Sequence, residues 1–219
     1  AGRGGHGGEV GGAALDISGM ECAANAEFVA INADAPIVPK PPSVRFEEGA
    51  AAPFGGSTAI YYLKDRARVQ PGQRALIIGA SGAVGLASVQ IAKHLGAHVT
   101  GVCSAANVDL VRSVGADDMI DYTIEDYTSK ANASKREKFD VIFDTLGVTT
   151  FGRCNHLLTD RGQFLAAVLT VRELLQMIWT PLTGGQKVIG GVGMSTVGRL
   201  ELLNELMVSG EFRSIIDRT

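Results

Sequence analysis

Residues 75–95 read ALIIGASGAVGLASVQIAKHL, and the fold turns on what the three evenly spaced glycines, Gly79, Gly82 and Gly85, are for. Ahead of them residues 75–80 are apolar and β-branched, the composition of a strand covered on both faces. Behind them residues 83–95 carry apolar side chains at helical spacing. Glycines between a buried strand and a helix turn the chain tightly, let the backbone approach a diphosphate and let the helix pack closely on the sheet. The N–H groups and dipole at the start of the helix would then form an anion site, for which a dinucleotide pyrophosphate is the natural occupant. The spacing alone is equally compatible with a turn that holds nothing, so the surroundings decide.

Outward from this stretch, short apolar segments alternate with longer helical ones. Strands are expected at 75–80, 98–104, 119–122, 139–145, 163–168 and 187–192, and helices at 83–95, 108–114, 150–158, 171–179 and 197–208. Six strands with helical crossovers predict an α/β, doubly wound Rossmann parallel sheet in the order 3-2-1-4-5-6. Residues 1–12 contain seven glycines and read as loop or remnant, and residues 26–31 as a short strand. Four prolines in residues 35–42 read as a stiff extended linker, after which residues 46–63 form a helical approach to the sheet with Glu47 and Glu48 near its start.

Composition narrows the function classes. In 219 residues there are 46% hydrophobic and 20% charged side chains with a net charge of -3, so the chain is globular and has no cationic footprint for nucleic acid. Glycine is in excess, at 28 residues against roughly 7% in average usage. Cys22, Cys103 and Cys154 are odd in number and lack zinc-ligand spacing, which suits reduced thiols in the cytoplasm. Residues 75–92 are uncharged, yet three glycines and β-branched residues break them as a membrane helix. No signal-peptide pattern is read at the N-terminus, and no metal site or membrane partner is expected.

The end of the second strand bears on which dinucleotide fits. A carboxylate about 20 residues past the first glycine would bind the ribose 2'-hydroxyl of NAD. Residues 96–108 contain no Asp or Glu, the first being Asp109. Ser104 would donate to a 2'-phosphate and Arg112 would add positive potential, which favours NADP(H). The plainer alternative is that Ser104 caps the following helix.

The run VQPGQRALIIGASGAVGLASVQIAKHLGAHVTGVCS (69–104), with NVDLVRSVGADDMIDY (107–122), FDVIFDTLG (139–147) and PFGGSTAIYYL (53–63), resembles the medium-chain dehydrogenase/reductase superfamily, in its zinc-independent quinone oxidoreductase branch. The resemblance implies that Ser81, Gly82, Ala83 and Val84 line the pyrophosphate, with Ser104 and Tyr122 flanking the 2'-phosphate. It places Leu146, Gly147, Ala167, Val168, Val192 and Gly193 at strand ends along the cofactor cleft and Thr58 near the nicotinamide. For Tyr122 an ordinary strand-end aromatic, and for Thr58 a helix-face hydroxyl bonded to the backbone, are the plainer alternatives.

By the same resemblance, residues 1–52 are a remnant of an N-terminal GroES-like β domain plus linker, 53–212 the NADP-binding domain, and 213–219 the start of a return to the first domain. The chain is thus expected to be truncated at both ends. Ala106, in the stretch SAAN, stands where relatives often carry Lys or Arg, which removes a charge-assisted partner for the 2'-phosphate. The segment GHGGEVGG (5–12) has the wrong His6 to Glu9 spacing for the GHE segment of the superfamily.

The implied reaction is hydride transfer from NADPH to a quinone or activated enone, which depends on orientation more than on an acid/base pair. No catalytic side chain is singled out. His94, His98 and His156 read as surface or capping residues, and Asp144 as a strand-end carboxylate bonding nearby backbone N–H groups. Two alternatives remain: an NADP(H)-binding module without turnover, and an enoyl-thioester reductase of the same superfamily. The last strand would be a sheet edge open to a second copy, so a homodimer is expected.

Overall fold

A computed structural model of the chain describes residues 35–133, 137–180 and 185–216. The strand expected at 26–31, the glycine-rich start and Cys22 fall outside the described residues. Six strands, β1 (Arg74–Ile78), β2 (His98–Cys103), β3 (Asp118–Asp121), β4 (Phe139–Asp144), β5 (Leu158–Ala166) and β6 (Lys187–Gly190), pair in the order β3-β2-β1-β4-β5-β6. Every pairing is parallel. This is the expected α/β doubly wound sheet, with its strand order reversing between β1 and β4.

Covering of both faces explains why β1 reads as continuous apolar sequence rather than an alternation. Ala75 and Ile77 point to a cluster that includes Ile60, Leu63, Val89 and Leu203. Leu76 and Ile78 point to the opposite cluster with Ile142, Leu157 and Phe164. The helices are α1 (Phe46–Ala59), α2 (Ala83–His94), α3 (Val108–Ser113), α4 (Lys130–Ala133), α5 (Phe151–Cys154), α6 (Val171–Trp179) and α7 (Val197–Ser209).

The helical approach expected at 46–63 runs further than its sequence pattern indicates. α1 continues without a break into a π-helical turn, Ile60–Arg66, closed by Ala67 N–H to Tyr62 O at 2.9 Å. At its start the Glu48 carboxylate accepts the Arg45 N–H at 3.0 Å, a capping contact that adds to the expected place of Glu47 and Glu48 at the positive end of the helix dipole. Widening to a π turn swings Tyr61 and Tyr62 toward the ends of β5 and β6, and such turns are frequent at functional sites.

β5 and β6 each end two residues before expectation and the short α4 was not expected; two larger differences from the sequence reading concern β5 and α5. β5 starts at Leu158, five residues before expectation, with a register irregularity between Phe139 and Val141 of β4 absorbing the polar Thr159–Gly162 stretch. The helix expected at 150–158 is one turn of α5 followed by a 3-10 turn, Asn155–Leu157. At the sheet edge the Val188 N–H of β6 donates to Thr180 Oγ1 at 3.0 Å, and Thr180 Oγ1 donates in turn to Gln176 O.

Candidate dinucleotide site

The glycine turn between β1 and α2 divides its tasks as the spacing suggests. Gly79 has φ of +77°, and a Cβ there would lie 2.6 Å from the Leu146 side chain. A Cβ on Gly85 would fall 2.0 Å from Gly79 O, so only glycine lets α2 sit this close to the strand. Gly82 is different. Its Cβ would meet only Gly79 O, at an ordinary 3.5 Å, so the fold itself does not require glycine there.

Gly82 is the N-cap of α2 and brings no side-chain cap to it. Ala83, Val84 and Gly85 follow as the first helical residues, whose N–H groups have no acceptor within the helix. An open glycine, uncapped N–H groups and the positive end of the helix dipole together fit a diphosphate.

From this turn the expected residues follow one another along the carboxyl ends of the strands, where ligands bind in doubly wound sheets. Gly79 abuts Leu146 and Thr145 after β4, and a Cβ on Gly147 would lie 2.8 Å from Val168 Cβ after β5. Ala167 N–H donates to Asp144 O at 3.1 Å. Beyond β5, the Tyr62 hydroxyl lies 2.8 Å from Ala166 O and 2.6 Å from Gly191 O. Its one proton is thus shared between the ends of β5 and β6. Gly193 completes the line, its Cβ position lying 3.2 Å from Thr58 Cα. Thr58 itself donates to Phe54 O at 2.7 Å, the plainer alternative read from the sequence, so its hydroxyl is occupied by its own helix.

A cleft of about 640 Å³ opens beside the turn, lined by Gly79, Ser81, Cys103, Tyr122, Tyr127 and Leu146 among others. It lies at the ends of β1, β2, β3 and β4. Of the expected residues, Gly79, Ser81, Tyr122 and Leu146 face it. Val168, Val192, Gly193 and Thr58 do not line it; Val168, Val192 and Gly193 follow β5 and β6, across the β1/β4 reversal. Ser104 stands next to Cys103, where its Oγ accepts the Asn107 Nδ2 donor at 3.2 Å. That bond leaves the Ser104 proton for an outside acceptor. Ala106 is exposed on the same turn. Glu125 and Asp126 also line this cleft, and among the described residues no Lys or Arg does.

Asp144 is 1% exposed, and its carboxylate accepts three backbone donors, Leu146 N–H and Gly147 N–H on Oδ1 and Thr149 N–H on Oδ2. It therefore shapes the turn that carries Leu146 into the cleft, as its strand-end position suggests. Thr149 Oγ1 contacts Cys154 Sγ at 3.4 Å. Burial, aided by Cys154 and Asp144, pushes the Tyr127 hydroxyl up to about 12. Burial also raises the Cys103 and Cys154 thiols, the former further raised by Asp121, so neither offers a thiolate at neutral pH.

His94 and His98 pair with Glu211 and Asp118, at 2.6 and 2.7 Å, and line no part of the cleft. Among the described residues no group of three His, Cys, Asp or Glu side chains is placed to hold a metal ion, and no helix is long and apolar enough to cross a membrane. Tyr62, Tyr127 and Cys103 were not anticipated as parts of the site. Their contacts join residues distant in sequence and leave no local pattern.

Known proteins agree with this architecture. Residues 83–209 match the family described as zinc-binding dehydrogenase. A trans-enoyl reductase, pgmF of Aspergillus terreus, is 44% identical over 114 residues, which cover 50% of this chain and 30% of the relative. The chloroplastic quinone-oxidoreductase QR1 of Triphysaria versicolor is 32% identical over 187 residues, 82% of this chain and 56% of the relative. The structure of the quinone oxidoreductase from Coxiella burnetii superimposes with a TM-score of 0.72 at 23% identity, covering 83% of this chain and 55% of that one. The chain thus spans between 30% and 56% of the length of these proteins. With its family match running from the start of α2 to the end of α7, the chain belongs to the zinc-binding dehydrogenase family, as a quinone oxidoreductase-like member of the medium-chain dehydrogenase/reductase superfamily.

Proposed function

We propose that this chain binds NADP(H) across the carboxyl ends of its strands and serves a zinc-independent reduction of a quinone or activated enone. The observation that carries the reading is Gly82, an N-cap glycine that the fold does not need, at the mouth of a helix with uncapped N–H groups. The chemistry the coenzyme supplies when bound is hydride donation from the nicotinamide. In this reading the backbone of Ser81, Gly82, Ala83 and Val84 holds the diphosphate. Tyr122 and Leu146 flank the adenosine, with Ser104 donating to the 2'-phosphate. Thr58, Gly147, Ala167, Val168, Val192 and Gly193 enclose the nicotinamide half. Preference for NADP(H) is supported by the lack of a carboxylate at the end of β2 and by the Ser104 proton that Asn107 leaves outward. Without a cation at Ala106, and with Glu125 and Asp126 across the cleft, that preference is modest.

Titration of NADPH and NADH by fluorescence, followed by NADPH oxidation with a 1,2-naphthoquinone and with an enone, tests the reading. Tighter NADPH binding with turnover supports it. Tighter NADH binding reverses the coenzyme preference, and binding without turnover leaves a coenzyme-binding module. The 44% identity to a trans-enoyl reductase favours a second substrate class, an enoyl thioester, which the same assay with crotonyl-CoA distinguishes.

We also assign residues 1–52 to a remnant of a second, catalytic domain plus the linker that leads into α1, residues 213–219 to the start of a return to that domain, and the cytoplasm as the compartment, consistent with two buried free thiols. Homodimerisation through β6 completes the proposal. It is supported by the edge position of β6 and by the adjoining apolar stripe of α6, where Val171, Leu175, Ile178 and Trp179 are all more than half exposed.

A further inference from the structure

We propose that Arg199 is a positioning residue that fixes the loop 191–194 for the nicotinamide half of the coenzyme. This rests on the dinucleotide reading above and adds to it the group that sets the geometry of one half of the site.

Arg199 lies in the first turn of α7, outside the cleft, with a side chain 16% exposed. Its guanidinium makes three contacts at once. Nε donates to Asp65 Oδ2 at 2.7 Å, at the end of the π-helical turn. A terminal nitrogen donates to the Met194 carbonyl. The guanidinium carbon, Cζ, lies 5.0 Å from the centre of the Tyr61 ring. An isolated surface ion pair contributes little, but a rigid planar fork that bonds a carboxylate, a carbonyl and an aromatic face fixes all three relative to one another.

What it fixes is the far end of a loop whose near end is already tied. Tyr62 accommodates Gly191 O at 2.6 Å, and Arg199 holds Met194 O, so Val192 and Gly193 are suspended between two anchors. The loop is pressed on the Tyr61 ring and on Thr58, since a Cβ on Gly193 would lie 3.3 Å from Tyr61 Cδ1 and 3.2 Å from Thr58 Cα. Gly191 and Gly193 bring no side chain of their own to wedge the loop in place, so the two anchors and the Tyr61 and Thr58 contacts set its distance from a ligand. Releasing Met194 frees the half of the loop that would face the nicotinamide and leaves the Gly79–Gly85 turn untouched.

The test compares ligands that do and do not reach this loop, using the full chain and isothermal titration with NADPH and with 2',5'-ADP, which lacks the nicotinamide half; NADH and ADP-ribose serve the same purpose should NADH bind more tightly. Arg199→Met is expected to weaken NADPH about tenfold, the scale of one lost hydrogen bond to a charged group, with 2',5'-ADP unchanged. Arg199→Lys reaches Asp65 or Met194 O but not both, and should fall between. Asp65→Asn keeps the carbonyl contact and loses the ion pair, giving a smaller loss in a variant whose folding is checked by its melting curve. Equal NADPH affinity in Arg199→Met and the parent chain overturns the proposal, as does an equal loss for both ligands. Failure of the parent chain to bind either coenzyme overturns the dinucleotide reading itself, and with it this one.

Discussion

A Cβ placed on Gly85 would sit 2.0 Å from the carbonyl oxygen of Gly79, whereas one on Gly82 would meet that same oxygen at 3.5 Å. The two glycines of one motif thus answer to different demands, one to the helix-strand contact and the other to what approaches from outside. Gly85→Ala should be strongly destabilising, by several kcal/mol or by failure to fold, because neither partner of the clash is a movable side chain. Gly82→Ala should fold with a melting temperature close to that of the parent and lose most of its affinity for NADPH. Thermal melts and coenzyme titrations of the two variants check this contrast, and retained NADPH binding in Gly82→Ala would remove the diphosphate from that turn.

Ala106 makes the coenzyme preference adjustable. Ala106→Arg restores a cation on the turn that carries Ser104, opposite the carboxylates of Glu125 and Asp126. NADPH should then bind about tenfold more tightly, the low end for a hydrogen bond to a charged group. NADH should be nearly unaffected. The gain should shrink between low and high salt, as an exposed charge contact does, and titrations at two ionic strengths measure it.

Two phenols, the buried Tyr62 and the half-buried Tyr127, give the fold an alkaline limit. Burial is the leading cause that pushes the Tyr62 and Tyr127 hydroxyls up to about 12. In the unfolded chain tyrosine titrates near pH ~10. Below that value both states hold the proton and the contribution is complete. Between about pH 10 and 12 the unfolded chain releases protons that the native one retains, so stability falls as pH rises. Urea midpoints measured from pH 9 upward should decline, and Tyr62→Phe or Tyr127→Phe should flatten the decline at the expense of stability at neutral pH. An unchanged slope in both variants would place the alkaline loss elsewhere.

Most of the sheet was legible because its strands are short apolar runs punctuated by glycine: Gly79, Gly96, Gly147 and Gly191 all have positive φ at or near a strand end or turn. The strand order followed from the βα alternation. The polar start of β5 after Leu158 was not legible, since Thr159, Asp160 and Arg161 fall in the irregularity between the Phe139–Leu158 and Val141–Gln163 pairs, which depends on β4 and leaves no local pattern. In the site, the glycine turn was legible from its spacing together with the strand before it and the helix after it, and Asp144 from its position at a strand end. Tyr62 reaches Gly191 across 129 residues and Arg199 reaches Asp65 across 134. Such contacts depend on the π-helical turn that aims the two tyrosines, and a π turn has no composition of its own.

Asp144 holds its turn with three backbone donors and no counter-cation among them. Asp144→Asn keeps an acceptor for Leu146 and Gly147 but turns an amide donor toward the Thr149 N–H. Leaving one buried donor unmatched costs about 1–3 kcal/mol. The variant should therefore be less stable and bind NADPH more weakly, because Leu146 shifts in the cleft wall. Asp144→Ala should lose more on both counts, as read by melting temperature and titration.

The dimer proposal meets one obstacle at β6, and the obstacle can be turned into its test. Val188 N–H, which a second copy would use for strand pairing, already donates to Thr180 Oγ1, a side-chain cover of the kind that protects sheet edges. Pairing must displace that hydroxyl, so the parent chain should dimerise weakly. Thr180→Val removes the acceptor and leaves the edge N–H unsatisfied, which should tighten the dimer. The single tryptophan, Trp179, is 68% exposed beside β6 and reports the event directly: its emission should shift to the blue with rising protein concentration, in step with the mass from light scattering, and earlier in Thr180→Val. A mass that stays monomeric in both chains at all concentrations, with unshifted emission, leaves β6 as a closed edge and the apolar stripe of α6 to some other contact.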